Sequence, residues 1–206
     1  MIQKKREYIS ATKHDVSRFY DTKAATYGKE LFKESESVID SYFPPLDNWE
    51  TLLDAGCGTG GLMERAKALG KKTTGIDISR NMVEICISNG LYANVGDIKH
   101  IQFPDGSFDL VTCTGALEHT PNPNIGRDEL CRLSRRYVSI ILPLWYEDKE
   151  GPVSRHYLNE TLPNIERWLL PEEWDAYFTN RDGIEVIKRE IINQGRDIMY
   201  WLEKKK

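Results

Sequence analysis

The sequence predicts an α/β fold, a single domain built around a mostly parallel β-sheet. Three observations support this prediction. Short apolar segments with the length of strands alternate with helical segments from Thr51 to Leu142, which is typical of consecutive βαβ units. A glycine-rich turn directly follows the first of these strands. Two more strand-like segments near the end of the chain are joined by a short link, which favours an antiparallel hairpin.

The individual elements can be assigned in order. Residues 1–43 are charged, and their apolar positions have helical spacing, so they predict N-terminal helices that end at Pro44-Pro45. Helices are then expected at Leu62–Leu69, from an N-cap at Ser79 to Ser88, at Asp128–Leu133 and at Pro171–Phe178. Strands are expected at Thr51–Ala55, Thr73–Ile78, Ala93–Val95, Phe108–Cys113, Tyr137–Leu142, Ile184–Ile192 and Arg196–Leu202.

Composition and charge exclude several classes of protein. With 40% hydrophobic and 29% charged residues and no apolar run long enough to span a bilayer, the sequence is typical of a cytoplasmic globular protein with no membrane partner. The net charge of −4 argues against a nucleic-acid partner. The one arginine cluster, Arg132, Arg135 and Arg136, is expected to form a solvated helix end. The four cysteines lack metal-site spacing, so we expect buried free thiols and no metal.

The glycine-rich turn after the first strand is the strongest functional signal. Glycines at such a turn let the backbone approach a ligand closely, and the following helix N-terminus favours a pyrophosphate or a carboxylate. Gly56, Gly58 and Gly61 satisfy the dinucleotide pattern GxGxxG, whereas Gly56, Gly58 and Gly60 satisfy GxGxG. The glycines by themselves therefore leave the ligand open.

Three acidic residues at strand ends favour one ligand over the other. Asp77 ends the second strand, where a carboxylate can accept from ribose hydroxyls of either cofactor. Asp54 precedes the glycines, where it would repel a pyrophosphate and attract an ammonium group. Asp97 follows the third strand and is placed to accept from an adenine amino group. Two of them have a structural alternative, which is a helix-turn cap for Asp54 and an Asx-turn for Asp97. Together they favour a nucleoside with a cationic amino-acid tail.

Four ordered motifs carry a family resemblance. They are LLDAGCGTG at 52–60, GIDIS at 75–79, GDI at 96–98 and FDLVTCTGALEHTPNP at 108–123. They resemble the successive motifs of class I S-adenosylmethionine-dependent methyltransferases, in particular the methyltransferase type 11 group, over residues 15–142. That family has a Rossmann-like, seven-stranded sheet whose last strand is antiparallel, which is compatible with the predicted hairpin. The sequence departs from the family in lacking a Pro-Gly-Gly turn before the fifth strand and in residues 143–178.

The resemblance implies S-adenosylmethionine as cofactor, with S-adenosylhomocysteine as product, and a division of the single domain (1–206) into four parts. These are an N-terminal helical cap (1–46), a cofactor-binding core (50–142), a substrate-side segment (143–183) and a C-terminal β-hairpin (184–203). The residues implied at the cofactor are Asp54, Gly56, Cys57, Gly58, Gly60, Asp77, Ile78, Asp97, Ile98 and Thr114. The segment from Phe19 to Tyr27 is similar to the family's YDxxAxxY motif, which makes Tyr20 and Tyr27 candidates to close over the methionine end, with helix packing as the alternative.

The sequence offers two candidates for a catalytic base. A base is needed only if the acceptor arrives protonated. His119, beside Glu118, is the first candidate, with a structural or pocket-lining role as the alternative, and His156 is the second. The aromatic residues between Trp145 and Tyr177 either line a substrate pocket or cover the sheet. The i, i+3 spacing of Trp174 and Tyr177 on a predicted helix indicates that these two belong to the core. The sequence thus predicts a methyltransferase for a small-molecule acceptor, acting as a monomer or homodimer. A nicotinamide-dependent oxidoreductase and a non-catalytic S-adenosylmethionine-binding partner protein remain as alternatives.

Overall fold

The structure, a computed structural model, describes residues 12–31, 39–44, 48–144, 170–178 and 183–205. Seven strands form one sheet in the order β3-β2-β1-β4-β5-β7-β6. Their bounds are β1 Thr51–Ala55, β2 Lys72–Asp77, β3 Ala93–Val95, β4 Phe108–Thr114, β5 Ser134–Pro143, β6 Ile184–Ile192 and β7 Asp197–Lys204. The first five strands are parallel, and β7 pairs antiparallel with both β5 and β6. The predicted fold class and its C-terminal antiparallel hairpin are confirmed.

Five α-helices accompany the sheet in the described part of the chain. They are α1 Lys13–Leu31, α2 Gly61–Ala68, α3 Arg80–Ser88, α4 Pro123–Leu133 and α5 Pro171–Tyr177, and a short 3₁₀ helix, Leu117–His119, follows β4. Ser79 caps α3 as predicted, since its hydroxyl oxygen accepts from the backbone N–H of Met82 at 3.2 Å. No described helix is long and apolar enough to cross a membrane.

Three details of the predicted elements need correction. Helix α4 begins at Pro123 and not at Asp128, because Asn122 caps it through the N–H of Asn124 and proline is favoured in the first turn. Strand β5 begins at Ser134, directly after that helix. Arg135 and Arg136 therefore lie in a strand and not at a solvated helix end. Both are in ion pairs, with Asp109 and Glu203 respectively, as is Arg132 with Glu129 and Asp105.

Both faces of the sheet are covered. Successive strand side chains point to opposite faces, so Leu53 of β1 belongs to the core shared with α4 and α5, and Leu52 to the core shared with α2. Trp174 is fully buried in the first core, and its indole N–H donates to the Pro143 carbonyl at 2.9 Å. All four cysteines are buried and free, as the sequence predicts.

The strand order places the site. The chain runs from β1 outward through β2 to β3, and then returns to β4 and continues outward on the other side. The turns after β1 and β4 therefore diverge and leave a crevice at the carboxyl edge of the sheet, where ligands bind in open α/β sheets.

Candidate active site

A cavity of about 740 Å³, measured with its open mouth, lies at this carboxyl edge. One side of it is formed by residues at or just after the ends of the first four strands, among them Gly56, Asp77, Asp97 and Ala116. Helix α1 forms the opposite wall through four side chains, those of Lys13, Val16, Tyr20 and Tyr27. The N-terminal cap and the sheet edge predicted from the sequence thus enclose one space.

The glycine-rich turn is shaped by contacts within the protein as well as by the cavity. Gly56, Gly58 and Gly60 all have positive φ, at 81°, 52° and 94°, which disfavours other residues. A Cβ on Gly56 would lie 2.3 Å from Cβ of Ala116, and one on Gly60 would lie 2.3 Å from Cδ1 of Leu91. A Cβ on Gly58 would lie 3.5 Å from the ring of Tyr27, which is an ordinary contact with a residue that lines the cavity. Packing therefore requires two of the three glycines.

Asp77 ties this turn to the end of β2. One carboxylate oxygen accepts from the N–H of Gly58 and the other from the N–H of Ser79, both at 2.8 Å. The side chain is almost buried but lines the cavity. Burial raises the pKa of Asp77, with a smaller contribution from the charge of Asp21, against backbone hydrogen bonds that favour the carboxylate, chiefly those from Ser79 and Gly58. Each oxygen keeps acceptor capacity beyond its one backbone bond, so the group can still accept from a ligand.

Asp97 and Ile98 form the wall beyond β3. One oxygen of Asp97 accepts from the N–H of Lys99 at 3.0 Å, which is the Asx-turn considered as the alternative for this residue. The Lys99 ammonium lies 3.6 Å from the other oxygen. Asp97 also lines the cavity, so the turn and a contact with a ligand are compatible.

Asp54 lies beneath the glycine turn and is buried, with 3% exposure. The Thr112 hydroxyl donates to it at 2.9 Å. Burial, reinforced by the nearby charge of Asp77, raises the pKa of Asp54 to about 7, against the effect of the Thr112 hydrogen bond. Two carboxylates with raised pKa values therefore lie near each other, Asp77 in the cavity wall and Asp54 outside it. Such pairs are common at functional sites.

A polar contact joins the two walls of the cavity. The Tyr20 hydroxyl and Nε2 of His119 are 2.7 Å apart, and both residues line the cavity. Nε2 of His119 is also 3.8 Å from a carboxylate oxygen of the buried Glu118. The ring of Tyr20 packs edge-on against that of Tyr27, with centroids 5.7 Å apart. An ionisable group, His119, thus faces the cavity beside a phenol.

Most of the residues predicted at the cofactor surround this cavity. Those in its wall are Tyr20, Tyr27, Gly56, Gly58, Asp77, Ile78, Asp97 and Ile98, together with His119. Four predicted residues do not line it, namely Asp54, Cys57, Gly60 and Thr114. The Cys57 thiol instead fills the space in front of Gly75, where an added Cβ would be 2.7 Å away. Contact of these four with a cofactor stays a prediction.

Sequence reasoning missed part of the wall. Gly115 and Ala116 line the cavity directly after β4, and the strand-end argument used for Asp77 and Asp97 would have found them. Lys13 and Lys99 also contribute, without a motif that marks them. His156, the second catalytic candidate, lies outside the described residues. No cluster of three or more His, Cys, Asp or Glu side chains suited to a metal ion occurs within the described ranges.

Comparisons with known proteins show that the chain is similar to methyltransferases. The model of the methyltransferase domain family matches residues 53–141. A dTDP-4-amino-2,3,4,6-tetradeoxy-D-glucose N,N-dimethyltransferase from Saccharopolyspora spinosa is 29% identical over 73% of this chain and 65% of its own length. A ubiquinone biosynthesis O-methyltransferase from Xanthomonas oryzae pv. oryzae is 38% identical over 35% of this chain and 33% of its own. The chain thus spans from a third to just under two thirds of the length of these relatives.

A solved structure extends the likeness over most of the fold. The SAM-dependent methyltransferase of Thermotoga maritima, described as a possible histamine N-methyltransferase, superposes with a TM-score of 0.70. It is 16% identical in sequence, and the match covers 91% of this chain and 98% of that one. At this identity the likeness establishes the fold, while a function depends on the site.

Proposed function

We propose that residues 53–141, which match the model of the methyltransferase domain family, form a class I methyltransferase domain, and that the protein transfers a methyl group from S-adenosylmethionine to a small-molecule acceptor. The observation that carries the proposal is the cavity at the carboxyl edge of the sheet, which is lined by Asp77 and Asp97 and also by Tyr20 and His119. Carboxylates suit the ribose and adenine of an adenosyl group, while a phenol and an imidazole suit the place of proton transfer.

The described residues fit this cofactor. Asp77 is proposed to accept from the two ribose hydroxyls, since each of its oxygens carries one backbone hydrogen bond and has a further lone pair. Asp97 is proposed to accept from the adenine amino group, with Ile98 giving a backbone contact and Ile78 packing on the ring. The amino-acid end would then lie along Gly56 and Gly58, under the aromatic rings of Tyr20 and Tyr27.

The cofactor supplies an activated methyl group on a sulfonium, so the protein mainly has to orient the acceptor and exclude water. Positioning of the reacting atoms within ~3–3.5 Å is the larger contribution in such a displacement. Tyr20 and Tyr27 close one side of the cavity and limit access of water. His119 is proposed to take the proton of a hydroxyl or ammonium acceptor. The relatives are named for N- and O-methylation, and both acceptor types are compatible with a histidine base.

Ligand binding gives the first test. S-Adenosylmethionine and S-adenosylhomocysteine are expected to raise the melting temperature, because a ligand that binds only the folded state stabilises it by mass action. NAD is the control and should have no effect. Stabilisation by NAD alone would support the oxidoreductase alternative and contradict this proposal.

The second test separates catalysis from binding. Methyl release from labelled S-adenosylmethionine is measured against a panel of amino sugars, phenols and amines. Transfer to at least one acceptor is expected. Tight binding of S-adenosylhomocysteine with no transfer to any acceptor in the panel would favour the non-catalytic partner protein.

A further inference from the structure

Helix α1 is joined to the turn between β2 and α3 by four hydrogen bonds. One carboxylate oxygen of Asp21, Oδ1, accepts from the Ser79 hydroxyl at 2.6 Å and from the backbone N–H of Asn81 at 3.1 Å. The amide of Asn81 donates back to the Asp21 carbonyl at 3.0 Å. The Ser17 hydroxyl, one turn earlier in α1, donates to the Ile78 carbonyl at 3.0 Å.

Asp21 contacts the N-terminus of helix α3. Ser79 is the N-cap of α3, and its hydroxyl oxygen already accepts from the Met82 N–H, so its own proton is available for Asp21. Asn81 occupies the first turn of the same helix, where backbone N–H groups have no intrahelical partner. A carboxylate there satisfies one of these groups and interacts favourably with the positive end of the helix dipole.

The residue next to Asp21 faces the cavity. Tyr20 points at His119, while Asp21 points at α3, because neighbouring side chains on a helix diverge by about 100°. The buried side chains of Val16, Phe19 and Ala24 add apolar contacts on α1, but apolar contacts are non-directional. The directional bonds of Asp21, together with the Ser17 bond, therefore constrain how α1 is rotated and where Tyr20 lies along the cavity.

We propose that Asp21 is a positioning residue that docks α1 on the start of α3 and thereby holds Tyr20 against His119 at the mouth of the cavity. The proposal concerns the arrangement of α1. It rests on the proposed function only in taking S-adenosylhomocysteine as the cavity's ligand.

Two substitutions at Asp21 test the role. Both bonds from α3 end on the same oxygen, so Asp21→Asn keeps an acceptor for both whereas Asp21→Ala removes it. We expect Asp21→Ala to speed amide exchange of residues 13–31 and to raise the dissociation constant of S-adenosylhomocysteine at least tenfold. Asp21→Asn should restore both to within threefold of wild type. Thr26→Ala, an exposed change elsewhere on α1, is the control and should leave both unchanged.

A spectroscopic measurement reports on Tyr20 directly. The ring resonances of His119, assigned by comparison with His119→Gln, should shift in Asp21→Ala in the same direction as in Tyr20→Phe. A role confined to helix stability would leave these resonances unchanged. If Asp21→Ala unfolds the protein, Asn81→Ala serves instead, because it removes the bond to the Asp21 carbonyl from an exposed position on α3.

The outcomes are distinguishable. Wild-type exchange and wild-type His119 resonances in Asp21→Ala would overturn the proposal, as would an Asp21→Asn protein that behaves like Asp21→Ala. Failure of the wild-type protein to bind S-adenosylhomocysteine contradicts the proposed function. In that case the exchange and resonance measurements, which need no ligand, still decide the role of Asp21.

Discussion

The hydroxyl of Tyr20 lies 2.7 Å from Nε2 of His119, a contact between helix α1 and the 3₁₀ helix that follows the fourth strand. One member of this pair is the proposed base, and the other limits access to it. An acceptor that transfers its proton to His119 must therefore reach Nε2 beside Tyr20, or pass the proton through the phenol oxygen. The pair thus connects closure of the cavity with its chemistry.

His119→Gln is expected to lower methyl transfer by about a hundredfold or more, since general-base catalysis contributes on the order of 10²–10⁴. Tyr20→Phe should have a smaller effect, because it removes the phenol and leaves the imidazole in place. The turnover of both variants is measured at saturating S-adenosylmethionine, with an acceptor identified in the panel of amino sugars, phenols and amines. Unchanged turnover in His119→Gln would show that the acceptor loses its proton to another group or arrives without one.

Asp77→Ala is expected to weaken S-adenosylhomocysteine binding at least tenfold, because hydrogen bonds to a charged group contribute about 1.5–3 kcal/mol. It should also lower the melting temperature, since it leaves the N–H groups of Gly58 and Ser79 without their acceptor. Calorimetry and thermal unfolding measure the two effects.

The matched control for Asp77 is Asp109→Ala at the opposite end of the sheet. Asp109 accepts from the backbone N–H groups of Glu50 and Thr51 and does not line the cavity. It should therefore lower the melting temperature without changing cofactor affinity. Equal affinity losses in the two variants would show that the effect of Asp77→Ala is only structural.

Asp54 should make stability depend on pH. Its pKa is about 7 in the folded protein, against 3.8 for an ordinary aspartate. Between these values the unfolded chain is ionised and the folded protein is protonated, so stability is greatest in acid and is lost as pH rises through 7. From pH 5 to pH 8 the loss is on the order of 2 kcal/mol. Urea unfolding at both values measures it, and Asp54→Asn should largely remove the difference.

Binding of a cationic ligand should change the protonation of Asp54. An ammonium group above the glycine turn favours the ionised form of Asp54, so S-adenosylhomocysteine binding near pH 6 should release protons. Calorimetry in two buffers of different ionisation enthalpy gives the number released. A release in the wild type that persists in full in Asp54→Asn would assign it to Asp77 or to another group.

Gly60→Ala is expected to destabilise the protein more than Gly90→Ala does. Both glycines have positive φ, 94° and 74°, but an added Cβ meets Leu91 at 2.3 Å in the first case and nothing within 4 Å in the second. Overpacking costs about 1–3 kcal/mol, and urea unfolding should show a difference of this size. Leu91→Ala combined with Gly60→Ala should recover part of it, and strictly additive losses would contradict the packing argument.

His156→Ala and Tyr157→Ala test the predicted substrate-side segment, in which these two residues lie. Each is expected to alter turnover of the acceptor while S-adenosylhomocysteine affinity stays within about threefold, or ~0.7 kcal/mol. Steady-state kinetics and calorimetry provide the comparison. Unchanged turnover in both variants would mean that acceptor choice is determined elsewhere.

Much of the fold and the cofactor end of the site could be predicted from local sequence patterns. Strand β1 was predicted with its exact bounds, Ser79 was identified as a cap, and Asp77 and Asp97 were placed at one sheet edge. These features follow from side-chain alternation, from capping chemistry and from the rule that parallel strands end at a common edge. The strand bounds and the cap depend on residues within a few positions of one another, and the common edge follows from the parallel pairing that alternating strands and helices predict.

Other features were decided only by the tertiary structure. The sequence assigned Asp54 to the cofactor, but its position beneath the turn, with a hydrogen bond to Thr112 of the neighbouring strand, removes it from the cavity wall. At Gly60 an added Cβ would lie 2.3 Å from Cδ1 of Leu91, a contact that the glycine pattern does not show. Tyr20 contacts His119 although the two residues are 99 positions apart in the chain. Such contacts join residues far apart in the chain, and the packing of whole elements determines them, which no local pattern encodes.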